Sequence, residues 1–201
     1  MKKDYFEHKA NDYEQQKQRV ANVENIANVI KKNIQFNPSM HIMDFGSGTG
    51  LLLERIAPFV KKITAIDIST SMNRQLEKKR KDIQCELDII EMDLSTSTLD
   101  KKFDGIISSM TMHHIEDIPL MLEKLHSMLN TGGFIAIADL DTEDGSFHRE
   151  DTGVFHTGFD RDYFKGLALS AGFRDISSFK ASTVKKAQGD YSVFLISAVK
   201  A

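Results

Sequence analysis

The fold turns on Met43-Asp44-Phe45-Gly46-Ser47-Gly48-Thr49-Gly50. The apolar run His41–Phe45 reads as a strand and Leu51–Ala57 as a helix, so the glycines occupy a strand-to-helix turn. In an open α/β sheet such a turn lies at the carboxyl edge, where ligands bind. Glycine allows the sharp turn and lets a ligand approach with no Cβ in the way. The spacing is Gly-x-Gly-x-Gly followed by Leu51, which departs from the Gly-x-Gly-x-x-Gly of dinucleotide binders. Asp44 also stands at the strand end, close to where a pyrophosphate would have to lie. A carboxylate there disfavours phosphate and favours a cationic group. Taken alone, the glycines also fit a tight turn that holds no ligand.

Outward from this loop, short runs rich in Ile, Val and Phe alternate with helical spacing. Lys62–Ile66, Glu86–Glu91, Phe103–Ser109 and Phe134–Leu140 read as strands, and Ser71–Lys81 and Ile118–Leu129 as helices. That rhythm implies βαβ units, hence a doubly wound, mainly parallel sheet covered on both faces. Before the loop, Val20, Val23, Ala27, Ile30 and Ile34 recur at helical spacing ahead of Pro38. After it, Asp160–Ala171 reads as a helix stopped by Gly172. Ser177–Val184 and Ser192–Val199 are then separated by a short loop containing Gly189-Asp190, too short for a parallel crossover. They should form an antiparallel hairpin.

Further acidic residues fall at strand ends. Asp67 closes the second strand about 20 residues past the loop, where an acid holds ribose hydroxyls. Read alone, Asp67 equally suits a helix N-terminus. Asp93 follows the third strand in Glu91-Met92-Asp93-Leu94, and Phe103-Asp104-Gly105-Ile106-Ile107 forms the fourth.

With these motifs in order, the chain resembles the class I S-adenosylmethionine (SAM)-dependent methyltransferases across essentially its whole length. The resemblance implies an α/β, Rossmann-like sheet of seven strands, mostly parallel, whose C-terminal hairpin is antiparallel. It implies that Asp44, Gly46, Ser47 and Gly48 lie against the methionine part of SAM and that Asp67 holds the ribose. Ile68, Asp93 and Leu94 would border adenine, and Met72 and Met110 join the cofactor set. The implied cofactor is SAM, with S-adenosylhomocysteine as product. Within the family the chain looks most like the small-molecule group that includes the quinone-biosynthesis enzymes. There a pair such as His113-His114 follows strand four, and a turn such as Asn130-Thr131-Gly132-Gly133 precedes strand five. Ser108-Ser109-Met110-Thr111 replaces the Asn/Asp-Pro-Pro-aromatic motif of amino-methylating DNA and protein enzymes.

Composition fits one soluble domain over residues 1–201, with 1–38 as an N-terminal helical lid. Its 201 residues are 41% hydrophobic and 27% charged, ordinary for a globular chain. No apolar run approaches the roughly 18 residues that cross a bilayer, and the polar N-terminus lacks a secretory signal. A single cysteine, Cys85, fits a reducing, cytoplasmic location. The net charge of −3, with charges interspersed, argues against nucleic acid as partner. Lys78-Lys79-Arg80-Lys81 reads as a solvated helix face.

Methyl transfer from a sulfonium is an in-line displacement, so the protein has to align donor and acceptor, exclude water and, for some acceptors, remove a proton. No covalent nucleophile stands out. The expected acceptor is a small molecule over the ends of strands four and five. His148, His156 and His114 are the candidate catalytic residues, the first two within a polar stretch after Leu140 too long to be idle. Being adjacent, His113 and His114 should point in different directions, one toward the cofactor and one packed structurally. His148, His156 and Asp144 carry metal-binding side chains but match no ligand motif, so no metal is expected. Tyr13 and Arg19 are candidates for the donor's carboxylate or the acceptor, or belong to a solvated helix face. A nicotinamide-dependent oxidoreductase and a non-catalytic SAM-binding protein are the competing readings.

Overall fold

The computed structural model describes residues 4–148, 150 and 152–201. Seven strands form one sheet: β1 His41–Phe45, β2 Lys62–Asp67, β3 Glu86–Glu91, β4 Phe103–Ser109, β5 Leu129–Leu140, β6 Phe173–Lys186 and β7 Gly189–Lys200. Their order across it is β3-β2-β1-β4-β5-β7-β6. The first five pair in parallel, while β7 runs antiparallel between β5 and β6. Because β2 lies on one side of β1 and β4 on the other, the strand order reverses at β1. That switch point opens a crevice at the carboxyl ends, where an α/β sheet takes its ligand.

Helices cover both faces. On α1, Lys17–Asn33, the buried Val23, Ile26, Ala27 and Ile30 return every three to four residues. This stripe joins α2, Leu51–Ile56, in a core that runs from Ile42 and Ile63 to Leu195. The second core lies on the other face and collects Met43, Ile106 and Phe194 under α4, Ile118–Ser127, and α5, Arg161–Ser170. Helix starts carry side-chain caps. Ser69 caps α3, Thr70–Lys79, by accepting the amide of Met72; Asp117 and Asp160 cap α4 and α5 in the same way.

Several expected boundaries move: α3, expected to reach Lys81, ends at Lys79 and gives way to a 3-10 turn over Arg80–Asp82. The hairpin strands are longer than read, and Gly189 and Asp190 lie on β7, leaving Ala187-Gln188 at the tip. The turn Asn130–Gly133 is drawn into β5, whose register slips between Phe103 and Gly105 of β4. Asp104 holds this irregularity: its carboxylate accepts from Asn130 Nδ2 and, across the sheet, from the amide of His41, both at 2.8 Å. In consequence α4 stops at Ser127 and Leu129 opens β5. No helix among the described residues is long and apolar enough to cross a membrane.

Candidate active site

The glycine loop is left-handed at every second residue, with φ of +71° at Gly46, +54° at Gly48 and +89° at Gly50. Conformation alone calls for glycine there. At Gly46 space does so as well, because a Cβ would fall 2.1 Å from Thr111 Oγ1; at Gly48 it would meet nothing within 4 Å. The loop is tied to the next strand. The amides of Gly46 and Ser47 donate to the carbonyl of Ile66, at 2.8 and 3.2 Å. The Gly48 amide donates to Asp67 Oδ2 at 2.8 Å. Asp67 Oδ1 accepts from Ser69 N, also at 2.8 Å.

Asp44 is buried beside this pair, and its Oδ2 has no hydrogen-bond partner among the described residues. Burial, and then the neighbouring Asp67 charge, push its carboxyl up to about 8. Burial also raises Asp67, against the pull of its amide donors. Ser47 Oγ, Thr49 Oγ1, Asn73 Oδ1 and Ser109 Oγ are likewise buried without partners among the described residues. Burying such atoms unpaired is costly, so this concentration around one loop marks a place built for a polar guest.

The remaining cofactor candidates sit along the same edge. Ile68 is 53% exposed beside Asp67. Asp93 caps the turn after β3 through the amide of Ser95. Met72 and Leu94 are buried, the latter within the second core. Met110 takes φ of +58° and donates its amide to the Ala138 carbonyl, binding the exit of β4 to β5.

Past Met110, a 3-10 turn, Met112–His114, carries both histidines. Their rings do not diverge as expected. They stand 4.3 Å apart, because the turn is held from β5. Asp139 Oδ1 lies 2.6 Å from His113 Nδ1, and its Oδ2 accepts the His113 amide at 3.2 Å. Burial alone would raise Asp139, but the histidine's charge and hydrogen bond hold it low. His114 Nδ1 meets the Gly153 carbonyl at 3.1 Å. His148 completes the group, 5.1 Å from His113 and 6.1 Å from His114 between ring centroids. Burial and the neighbouring imidazoles lower His114 to about 4 and His148 to about 3.

His156 lies elsewhere. Its Nε2 bonds to the Ile115 carbonyl at 2.9 Å and its ring packs 5.2 Å from Phe159. Asp144 is occupied by Ser146. The triad of His148, His156 and Asp144 therefore does not assemble, and the structure brings His148 and His114 together with His113 instead. The loop bearing His148 is anchored by the amides of Phe155 and His156, which both donate to the His113 carbonyl.

The N-terminal segment crosses the mouth of the crevice. The Asp4 carboxylate accepts from Ser69 Oγ, Ser71 Oγ and Ser71 N at 2.7–3.1 Å. Phe6 meets the His114 ring edge-on at 5.8 Å. Arg19 stacks 3.7 Å from the Tyr13 ring and donates to the Tyr13 carbonyl, so neither side chain stands free in solvent. Asp4, Phe6 and Asp139 escape the sequence reading. Asp139 carried a usable signal, an acid at a strand's carboxyl end like Asp44 and Asp67. Asp4 carried none.

Solved structures share this architecture. A SAM-dependent methyltransferase from Thermotoga maritima superimposes with a TM-score of 0.73 at 17% identity, covering 98% of each chain. The phosphoethanolamine N-methyltransferase 2 of Haemonchus contortus, in complex with phosphomonomethylethanolamine and S-adenosylhomocysteine, gives 0.69 at 15% identity, over 98% of this chain and 59% of that one. The profile of the family described as "Methyltransferase domain" matches residues 13–178, and the chain belongs to that family. This membership displaces the oxidoreductase reading. An uncharacterised methyltransferase of Schizosaccharomyces pombe is 29% identical over 89% of this chain, which spans 66% of that relative's length.

Proposed function

We propose that the chain transfers a methyl group from SAM to a small-molecule acceptor. The observation that carries this reading is the link from the Gly48 amide to the Asp67 carboxylate beside the buried, partly unpaired Asp44. In it Asp67 takes the ribose hydroxyls, and Asp44 faces the cationic methionine end with Gly46, Ser47 and Gly48. Ile68, Met72, Asp93 and Leu94 flank the adenine, and Met110 sets the wall toward the acceptor. The bound donor supplies an electrophilic methyl on a sulfonium sulfur. An acceptor lone pair forms the new bond to carbon as the sulfur–carbon bond breaks, and that electron pair stays on sulfur.

The acceptor lies on the side of His114 and His148, with Phe6 closing the mouth and excluding water. With their pKa values depressed, both histidines are neutral at cell pH, each keeping one ring proton and offering its other nitrogen as a hydrogen-bond acceptor. They orient the acceptor; His156 holds the 3-10 turn from outside. Nucleic acid is not the acceptor, and a lone half-buried thiol at Cys85 agrees with work in the cytoplasm.

Calorimetry with SAM and S-adenosylhomocysteine tests the cofactor. Both should bind, and Asp67→Ala should weaken each by about 10- to 100-fold, the loss of a charged hydrogen-bonding partner. Equal affinities for mutant and wild type would remove Asp67 from the site and this reading with it.

A further inference from the structure

We propose that His113, His114 and His148 form a binding site for a divalent transition metal, with Asp139 and the Gly153 carbonyl orienting two of the ligands. One ligand atom from each histidine lies within 4.8 Å of the others, a grouping not visible in the sequence because His148 lies 34 positions beyond His114. The hydrogen bonds fix which nitrogens are available. A carbonyl oxygen only accepts, so His114 Nδ1 carries the proton toward Gly153 and Nε2 carries the lone pair. The Asp139 carboxylate does the same for His113 through the 2.6 Å contact. Metal-bound histidines are held in this way, the second ring nitrogen donating to a carboxylate or a backbone carbonyl.

Packing alone accounts poorly for the trio. His113 is 1% exposed and its carboxylate partner is fully buried. A structural histidine–aspartate pair needs no further imidazoles against it, yet two more are stacked there. Tetrahedral zinc with bonds of about 2.0–2.1 Å sets its nitrogens roughly 3.3 Å apart. The group must therefore contract by at most about 1.5 Å. His148 can supply this movement, being half-buried on a loop, while the other two rings are pinned. Three imidazoles suit zinc and its first-row neighbours, and a three-ligand set leaves a coordination position open. That this position would face the methyl acceptor rests on the function proposed above; metal binding itself does not.

The test uses the full chain without a polyhistidine tag, stripped with a chelator and titrated with Zn²⁺ by calorimetry. Co²⁺ absorbance in the visible reports the coordination. One equivalent of Zn²⁺ should bind and Co²⁺ should give tetrahedral bands. His148→Ala and the milder His148→Gln should abolish both signals, and Asp139→Asn should weaken binding about 10- to 100-fold. His8→Ala, on the exposed N-terminal segment, should change neither. Wild-type protein that takes up no zinc, or His148 variants that bind as wild type does, would overturn the site. SAM titration of the same samples separates the two readings. SAM binding without zinc removes only the metal site, and zinc binding without SAM removes only the proposed function.

Discussion

Asp44 and Asp67 close neighbouring strands, yet their surroundings set them apart. Asp67 has amide donors on both oxygens; Asp44 is buried with one oxygen unpaired. A carboxyl raised to about 8 retains a proton that the unfolded chain gives up near 3.8. Its contribution to stability is complete below 3.8 and is lost as pH rises through about 8. His114 and His148 act in the opposite sense: lowered from 6.5 to about 4 and 3, they cost stability only as pH falls below 6.5. Between pH 6.5 and 8.5, then, the ligand-free wild type should lose thermal stability with rising pH. Asp44→Asn should flatten that slope, and an unchanged slope would locate the cause elsewhere. The glycines allow a second comparison. Gly48→Ala meets open space and should cost only the left-handed strain, about 1–2 kcal/mol in denaturant unfolding. Gly46→Ala adds a collision with Thr111 and should cost more, with SAM binding lost. These positions were legible in the sequence because strand-end acids and glycine spacing are local signals. The histidine group was not, because it depends on a loop being fastened back to the His113 carbonyl.

Among the elements, α3 gains most from its neighbours. Its first turn is capped by Ser69 from within and by Asp4 from far away in sequence, a carboxylate where the helix end is electropositive. Hydrogen bonding to Ser71 and Ser69 lowers the Asp4 pKa even though burial opposes it. The contact also fastens the segment that brings Phe6 to His114. Asp4→Ala should therefore release the segment, raising the SAM dissociation rate in stopped-flow while leaving the fold's melting temperature within a few degrees. An unaltered rate would show that the segment does not gate the crevice. The strands themselves read well where both faces are buried, since continuous Ile, Val and Phe mark them. They read short at β6 and β7. There Lys185, Lys186 and Asp190 continue the ladder with charged side chains, and Asp175 takes φ of +53° where the β6 register slips. Backbone pairing extended these strands beyond what apolar residues signal.

At the scale of the molecule, the sheet separates two cores, and its switch point fixes where chemistry can occur. This much was visible in the order of motifs along the chain. The charge balance also belongs to this scale: 26 basic against 29 acidic residues offer no cationic field to condense a phosphate backbone. Titration with duplex and single-stranded oligonucleotides at low salt should give no more than weak binding. Tight, steeply salt-dependent association would contradict a small-molecule acceptor. The strand order also bears on how the chain is made. On the ribosome β6 emerges before β7, yet among the described residues β7 is its only neighbour in the sheet. Until Gly189–Lys200 arrives, β5 keeps an open edge and β6 has nothing to pair with. A chain cut short at residue 188 would have its parallel half buildable, the β5 edge bare and β6 unpaired, a form prone to aggregate and in need of chaperone cover.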